Sequence, residues 1–298
     1  MKAPAVAVFL AAVASWAAWS APQGLSTVSS VDWKRGALVV EISVPLSSSG
    51  TTSALPRLKA EAEERLDAGL SAAFLESMAP LPVDSLSTLG ELAAADRTLL
   101  ARLGGWKASG RKEDVRLSRD FSRLIARWTF PFYGDQGLVA VFNPSDPTPV
   151  RRRLGYVPSR TFSGLLIYAQ GSLPAGGKAK EETVRPALFP RLLDEEMKPI
   201  FTREMCDPVF LKKWGMVGYA QSMDEGEILA RAGVLPLRTV ARAVFGKNGS
   251  DLVIPEDAVR QLFSRDENIA LLRQGRILVV YDGPAGKAAA ASPPPAAE

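Results

Sequence analysis

The sequence predicts an α+β protein with two mixed α/β domains and short, mainly antiparallel strands. Of its 298 residues, 47% are hydrophobic and 23% are charged, a composition that can form packed cores and that suits about two domains. Short β-branched runs alternate with stretches of helical periodicity in both halves. A Pro-rich segment without hydrophobic periodicity, residues 143–158, separates the halves.

We predict five segments along the chain. They are a signal peptide at residues 1–20, an N-terminal α+β domain at 21–142, a linker at 143–158, a C-terminal α+β domain at 159–282 and a disordered Ala/Pro-rich tail at 283–298. Lys2, a short apolar run and the small residues Ala18 and Ser20 indicate cleavage before Ala21. The alternative is an uncleaved membrane anchor, although the run falls short of the roughly 20 apolar residues that span a bilayer.

The first domain is predicted to contain two strand pairs and two helices. Residues 25–31 and 37–44 form a hairpin, and residues 58–78 form an amphipathic helix that Pro80 and Pro82 terminate. A capping box of Thr88 and Glu91 begins the next helix, which we expect to end at Gly104 and Gly105. The second strand pair is at 115–117 and 123–132, with one buried face made of Leu124, Ala126, Trp128 and Phe130.

The second half is richer in short apolar runs. Strands are predicted at residues 164–169, 187–193, 200–205, 216–219, 237–245 and 276–281. Helices are predicted at residues 208–214, 224–232, 255–263 and 266–273.

The absence of histidine excludes most hydrolase triads and most zinc sites, because His is the commonest general base and transition-metal ligand. The single cysteine, Cys206, cannot form an internal disulfide, and a buried structural thiol is its expected state. A net charge of +4 is too small to indicate polyanion binding, so Arg151, Arg152 and Arg153 are interpreted as a solvated linker instead of a phosphate site.

Two carboxylate clusters leave a catalytic alternative open. Asp194, Glu195 and Glu196 most simply form a polar turn between strands, and Asp224 and Glu225, with Glu227, most simply charge the first turn of a helix. Either cluster would otherwise supply an acid/base pair or a Mg or Ca site. The loop around Gly176 and Gly177 fails the phosphate-loop pattern twice and indicates a flexible hairpin. Catalytic, cofactor-binding and metal-binding residues are therefore all predicted as none, with no cofactor and no specific nucleic acid.

One stretch of the second half resembles a bacterial envelope family. Residues 164–171, which end a strand in glycine, precede a Pro-Ala-Leu-Phe-Pro strand and an acidic turn at 185–195. This arrangement resembles the flagellar assembly protein T group and the small outer-membrane lipoproteins grouped with it. The chain as a whole is similar to exported spirochaete proteins, including its segments 81–85 and 204–208. The lipid-attachment cysteine of the lipoproteins is missing, and the resemblance carries no catalytic residues.

These observations predict a non-catalytic scaffold or assembly protein of the periplasm or cell envelope, and an association with periplasmic flagella is the finer hypothesis. We expect a protein partner, held by a sheet edge of the second domain at residues 155–282. The alternative from a different class is a carboxylate-dependent envelope hydrolase. Converging Asp and Glu side chains in a deep pocket would distinguish the hydrolase from the scaffold.

Overall fold

A computed structural model describes residues 24–46, 55–142, 146–152, 158–176 and 180–283. The predicted signal peptide, part of the predicted linker and nearly all of the predicted tail lie outside these residues. Contacts divide the chain into two compact units. The first unit comprises the described residues of Met1–Ser30, Val39–Met78 and Arg111–Thr129, and the remainder forms the second unit.

Most of a four-stranded sheet and one long helix make up the first unit. The sheet has the order β1-β2-β4-β3, with β1 at Ser26–Asp32, β2 at Ala37–Pro45, β3 at Arg111–Leu117 and β4 at Arg123–Pro131. Along β4, alternate side chains are buried as the sequence predicts. Helix α1, Leu55–Met78, is tied to the sheet by Arg65, which donates to the Pro45 carbonyl at 2.8 Å, and by the Asp67–Lys112 ion pair.

The region of the second predicted helix contains two helices, and both belong to the second unit. The capping box of Thr88 and Glu91 begins α2, Leu89–Ala95, as predicted. The predicted end at Gly104 and Gly105 is wrong, because Asp96 caps a new helix, α3 at Arg97–Ala108, that contains both glycines. Neither glycine has a positive φ, so neither adopts the left-handed conformation with which glycine commonly ends a helix.

The central sheet of the second unit is wholly parallel and has the order β10-β14-β5-β11. Its strands are β5 (Leu165–Ala169), β10 (Gly218–Ala220), β11 (Leu237–Val240) and β14 (Ile277–Tyr281). The prediction of mainly antiparallel strands is therefore wrong for this unit. All five residues of β14 are buried, and such continuous burial is typical of parallel sheets covered on both faces.

A second sheet of this unit is mixed, with the order β12-β13-β8-β9. Its strands are β8 (Leu192–Leu193), β9 (Pro199–Phe201), β12 (Ala243–Phe245) and β13 (Asp251–Val253), and a separate hairpin joins β6 (Leu173–Pro174) to β7 (Glu181–Glu182). Three sequence predictions need correction. The strand predicted at residues 187–193 is limited to β8. The strand predicted at residues 200–205 is shortened by a 3₁₀ turn at Arg203–Met205. The strand predicted at residues 237–245 is divided between two sheets. Pro186 and Pro190 lack the N–H donors that a longer strand would need.

The four helices predicted for the second half are confirmed. They are α5 (Pro208–Trp214), α6 (Glu225–Ala232), α7 (Glu256–Phe263) and α8 (Asp266–Arg273), and a short helix α4 (Leu138–Val141) precedes them. Asp207 and Asp224 cap α5 and α6 by accepting hydrogen bonds from backbone amides of the first turn.

Residues 79–110 are an integral part of the second unit. The carbonyls of Pro82 and Val83 accept hydrogen bonds from the amides of Leu188 (3.2 Å) and Phe189 (2.8 Å). The side-chain amide of Asn248 donates to the Asp84 carbonyl at 2.8 Å. The compact unit is thus discontinuous in sequence, whereas the predicted limits of the two sequence domains stay predictions.

A buried ion pair lies beside this junction. Asp251 is fully buried, and its Oδ2 accepts from Arg191 Nε at 2.8 Å and Nη2 at 2.7 Å. Its Oδ1 accepts from the Arg191 amide at 2.8 Å. Arg191 Nη2 also donates to Ser85 Oγ at 3.3 Å, so the pair connects β13, the start of β8 and the segment that precedes α2.

Replacing Asp251 by Ala should lower the free energy of unfolding of the second unit by about 3 kcal/mol, because it leaves Arg191 without its carboxylate. The matched control is Asp114→Ala, which removes an exposed carboxylate paired with Arg116 on β3 and should cost less than about 1 kcal/mol. Urea denaturation followed by circular dichroism measures both. Equal effects of the two substitutions would show that the buried pair does not stabilise this junction.

Candidate functional site

The acidic cluster at 194–196 forms the polar turn that the sequence predicts. Asp194 is buried, and its Oδ1 accepts from the amides of Glu196 (3.1 Å) and Lys198 (2.9 Å) within the turn between β8 and β9. Glu195 pairs with Arg242 at 3.7 Å, and Glu196 pairs with Lys198 at 2.5 Å. Hydrogen bonds and ion pairs with neighbouring groups therefore account for all three carboxylates.

The second acidic cluster marks the start of α6. Asp224 is the N-cap, and its Oδ1 accepts from the Glu227 amide at 3.0 Å. Glu227 forms an ion pair with Lys34, and Glu225 lies in the first turn. This placement agrees with the helix-dipole interpretation of these residues. Within the part of the chain that the structure describes, no group of three or more His, Cys, Asp or Glu side chains is arranged to hold a metal ion.

The remaining sequence candidates occupy structural positions. Arg152 donates to the Ser264 carbonyl at 2.8 Å and lies 3.5 Å from Asp266, whereas Arg153 lies outside the described residues. Gly176 follows β6 in the predicted hairpin region, and Gly177 lies outside the described residues.

A groove that the sequence analysis missed lies beside β11, the last strand in the order of the parallel sheet. We call it the β11 groove; it has a volume of about 370 Å³. Its lining residues come from the segment that precedes β5 and from the loop and strand that follow α6: Arg160, Phe162, Val234, Leu235, Pro236, Leu237 and Arg238. The available sequence signal was the apolar run Val234-Leu235-Pro236 directly after Gly233, because such a run in a loop is poorly explained by core packing.

Polar contacts hold both walls of the β11 groove. Asn268, which is fully buried, accepts from the Phe162 amide at 2.9 Å and donates to the Arg160 carbonyl at 3.0 Å. On the other wall, Ser163 Oγ accepts from the Leu235 amide at 2.8 Å and donates to the Ala232 carbonyl at 2.7 Å. The groove is therefore preformed by backbone segments that are each held from the side.

The open edge of β11 offers backbone hydrogen-bonding groups next to the groove. The amides of Leu237 and Ala241 donate to β5 and its flank, at Gly164 and Tyr168. Because alternate residues of a parallel strand face each neighbour, the amides of Arg238 and Val240 point away from β5. The edge thus presents two outward peptide groups.

Exposed apolar side chains and positive charge surround this edge. Val234 is 82% exposed and Val240 is 57% exposed, which are high values for such side chains. Arg160 lies over the Phe162 ring at 5.4 Å, and Arg238 Nη1 donates to the Tyr168 hydroxyl at 2.6 Å. The lining residues include two arginines and no Asp or Glu. The edge therefore combines exposed apolar surface with positive charge.

Cys206 is buried, as the sequence predicts, and its Sγ contacts the Thr202 carbonyl at 3.8 Å. Burial raises the pKa of the Cys206 thiol to about 12. At pH 8 the thiol therefore stays protonated, and the thiolate is the nucleophilic form.

We therefore predict that Cys206 reacts with a thiol reagent such as dithionitrobenzoate only after denaturation. The labelling rate of the native protein at pH 8 should fall at least about a hundredfold below that of the urea-unfolded chain, which serves as the matched control. Rapid stoichiometric labelling of the native protein would contradict the buried assignment.

Among the residues that the structure describes, no helix combines the length and the hydrophobicity needed to cross a membrane.

Two family models match the chain. Residues 24–135 match the N-terminal domain of Treponema pallidum Tp0624, and residues 164–283 match the second domain of the same protein. No curated protein matches the chain. The matched ranges cover most of both halves in the same order, and the chain belongs to the Treponema pallidum Tp0624 family.

Proposed function

We propose that this protein is an exported, non-catalytic scaffold of the cell envelope that holds a protein partner at the β11 groove. The observation that carries the proposal is the combination of an open strand edge with exposed apolar side chains and fixed arginines. An extended partner segment would add a strand to the parallel sheet, with main-chain hydrogen bonds to Arg238 and Val240 supplying affinity.

The side chains of the groove indicate the chemistry of the partner. An apolar side chain of the added strand would pack on Val234 and Leu235, since both are substantially exposed and line the same groove. A carboxylate would lie between Arg160 and Arg238, where two guanidinium groups favour negative charge. We therefore propose an extended acidic and apolar segment of another protein as the ligand.

Export and the flagellar association are parts of the proposal that rest on sequence. The short positive start and apolar run at residues 1–20 support delivery to the periplasm. The resemblance of residues 164–195 to the flagellar assembly protein T group supports an assembly role linked to periplasmic flagella. The alternative, a carboxylate-dependent hydrolase, gains no support from the groove, whose lining residues contain no carboxylate.

Substitution at the sheet edge tests whether docking uses backbone pairing. Val240→Pro removes one outward N–H and leaves the bonds to β5, so the fold should persist, because Pro is tolerated where its N–H side faces solvent. We expect peptides selected from a random display library on the wild-type protein to be rich in Asp or Glu among apolar residues. Val240→Pro should weaken their binding at least about tenfold, measured by fluorescence anisotropy.

A charge reversal tests the role of the arginines. Arg238→Glu should weaken the binding of the same peptides at least about tenfold. The control Arg119→Glu makes an equal charge change at the exposed β3–β4 turn of the first unit and should leave their binding unchanged. Peptides without acidic residues, or equal losses in both variants, would contradict a specific acidic ligand at the groove.

A further inference from the structure

The sheet of the first unit has two edges of very different character. The β3 edge carries four consecutive charged residues, 111–114, and a bulge between Lys112 and Asp114. The β1 edge has the sequence STVSSVD, with no charge before its last residue and no proline. Charges and bulges are the usual protection of sheet edges against further pairing. The sequence protects β3 in this way and leaves β1 unprotected.

The exposure of β1 agrees with an unprotected edge. Ser29 and Ser30 are exposed, and Val28 is 68% exposed, although Val is favoured in strands chiefly for its packing. β1 is the first strand in the order β1-β2-β4-β3, so within the described part of the chain its far side faces no strand of that sheet. An added strand would cover Val28 and pair the outward backbone groups.

Charge also distinguishes the two edges in pairing with an identical strand. Antiparallel pairing of two β3 strands about their centres would place Asp114 opposite Asp114 and Lys112 opposite Arg116, and like charges directly opposite are destabilising. Pairing of two β1 strands about Ser29 places Ser29 opposite Ser29 and Val28 opposite Ser30. In this second arrangement, no like charges lie opposite each other.

The same register places a serine of one copy opposite an aspartate of the other. Ser26 would face Asp32 of the second copy, on the same face of the sheet. Arg123 lies on that face, since its Nη2 donates to Ser26 Oγ at 2.9 Å and to the Ser43 carbonyl at 2.9 Å. The acceptors in the described contacts of Arg123 are hydroxyl and carbonyl oxygens, not carboxylates. Asp32 of the second copy would supply a carboxylate beside this guanidinium, twice by symmetry.

We propose that β1 is a self-association edge, which pairs antiparallel about Ser29 with β1 of a second copy of this chain. The pairing joins two four-stranded sheets into one and uses a surface different from the β11 groove. Seven residues a side bury a small area, so the dimer is a weak, concentration-dependent one.

Cysteine crosslinking tests the register. In a Cys206→Ser background, Ser29→Cys places two thiols directly opposite each other, where antiparallel Cα atoms are roughly 4.5–5.5 Å apart, within disulfide range. The matched control Ser30→Cys places the thiols on diagonal positions, roughly 7–8 Å apart, beyond that range. Mild oxidation of the full chain should crosslink Ser29→Cys at least about tenfold faster than Ser30→Cys.

Sedimentation equilibrium tests the association itself without any cysteine. Ser29→Lys places two ammonium groups opposite each other and should weaken self-association at least about tenfold. Ser29→Thr should leave self-association intact. Circular dichroism confirms that each variant is folded. A wild-type chain that stays monomeric at millimolar concentration, equal crosslinking at positions 29 and 30, or a dimer insensitive to Ser29→Lys would each overturn the proposal.

Discussion

Burial of the parallel sheet on both faces is the constraint on which the second unit depends. On one face, Leu166, Leu278 and Val280 of the sheet pack with Ile228 and Ala232 of α6 in a single cluster. Parallel strands need crossover connections, so the chain leaves the sheet after each strand, and in this unit the neighbouring strands are not consecutive in sequence. This path leaves β11 at the end of the order, and the loop that leads into β11 supplies a wall of the groove.

A buried cation ties the end of α6 to the end of α5. Arg231 donates to the carbonyls of Trp214 (2.7 Å) and Gly215 (2.9 Å), and its guanidinium lies 4.8 Å from the Trp214 ring centroid. Burial lowers the pKa of Arg231 to about 10, so it remains charged at neutral pH. Since these contacts hold the carboxyl end of α6, they also set the start of the loop at Gly233 and Val234. Stability of the unit and the shape of the groove are thus determined by the same helix.

Local patterns in the sequence were enough for most elements but not for their pairing. The capping box at Thr88 marked the start of α2 correctly, and the predicted helix starts at residues 208 and 224 agree with α5 and α6 to within one residue, because helix starts depend on residues within one turn. Strand direction depends on distant partners, so the parallel sheet and the division of residues 237–245 between two sheets were missed. The groove was missed because its two walls, near Phe162 and Leu235, are distant in sequence.

The central claim is that the β11 groove holds an extended acidic and apolar segment of a partner protein. Photocrosslinking in intact native cells tests it most directly, with benzoylphenylalanine placed at position 240 beside the groove or at position 119 on the first unit. The account predicts an adduct from position 240 that maps to an extended segment bearing Asp or Glu, and none of that kind from position 119. The same adducts from both positions, or none from position 240, would contradict the account.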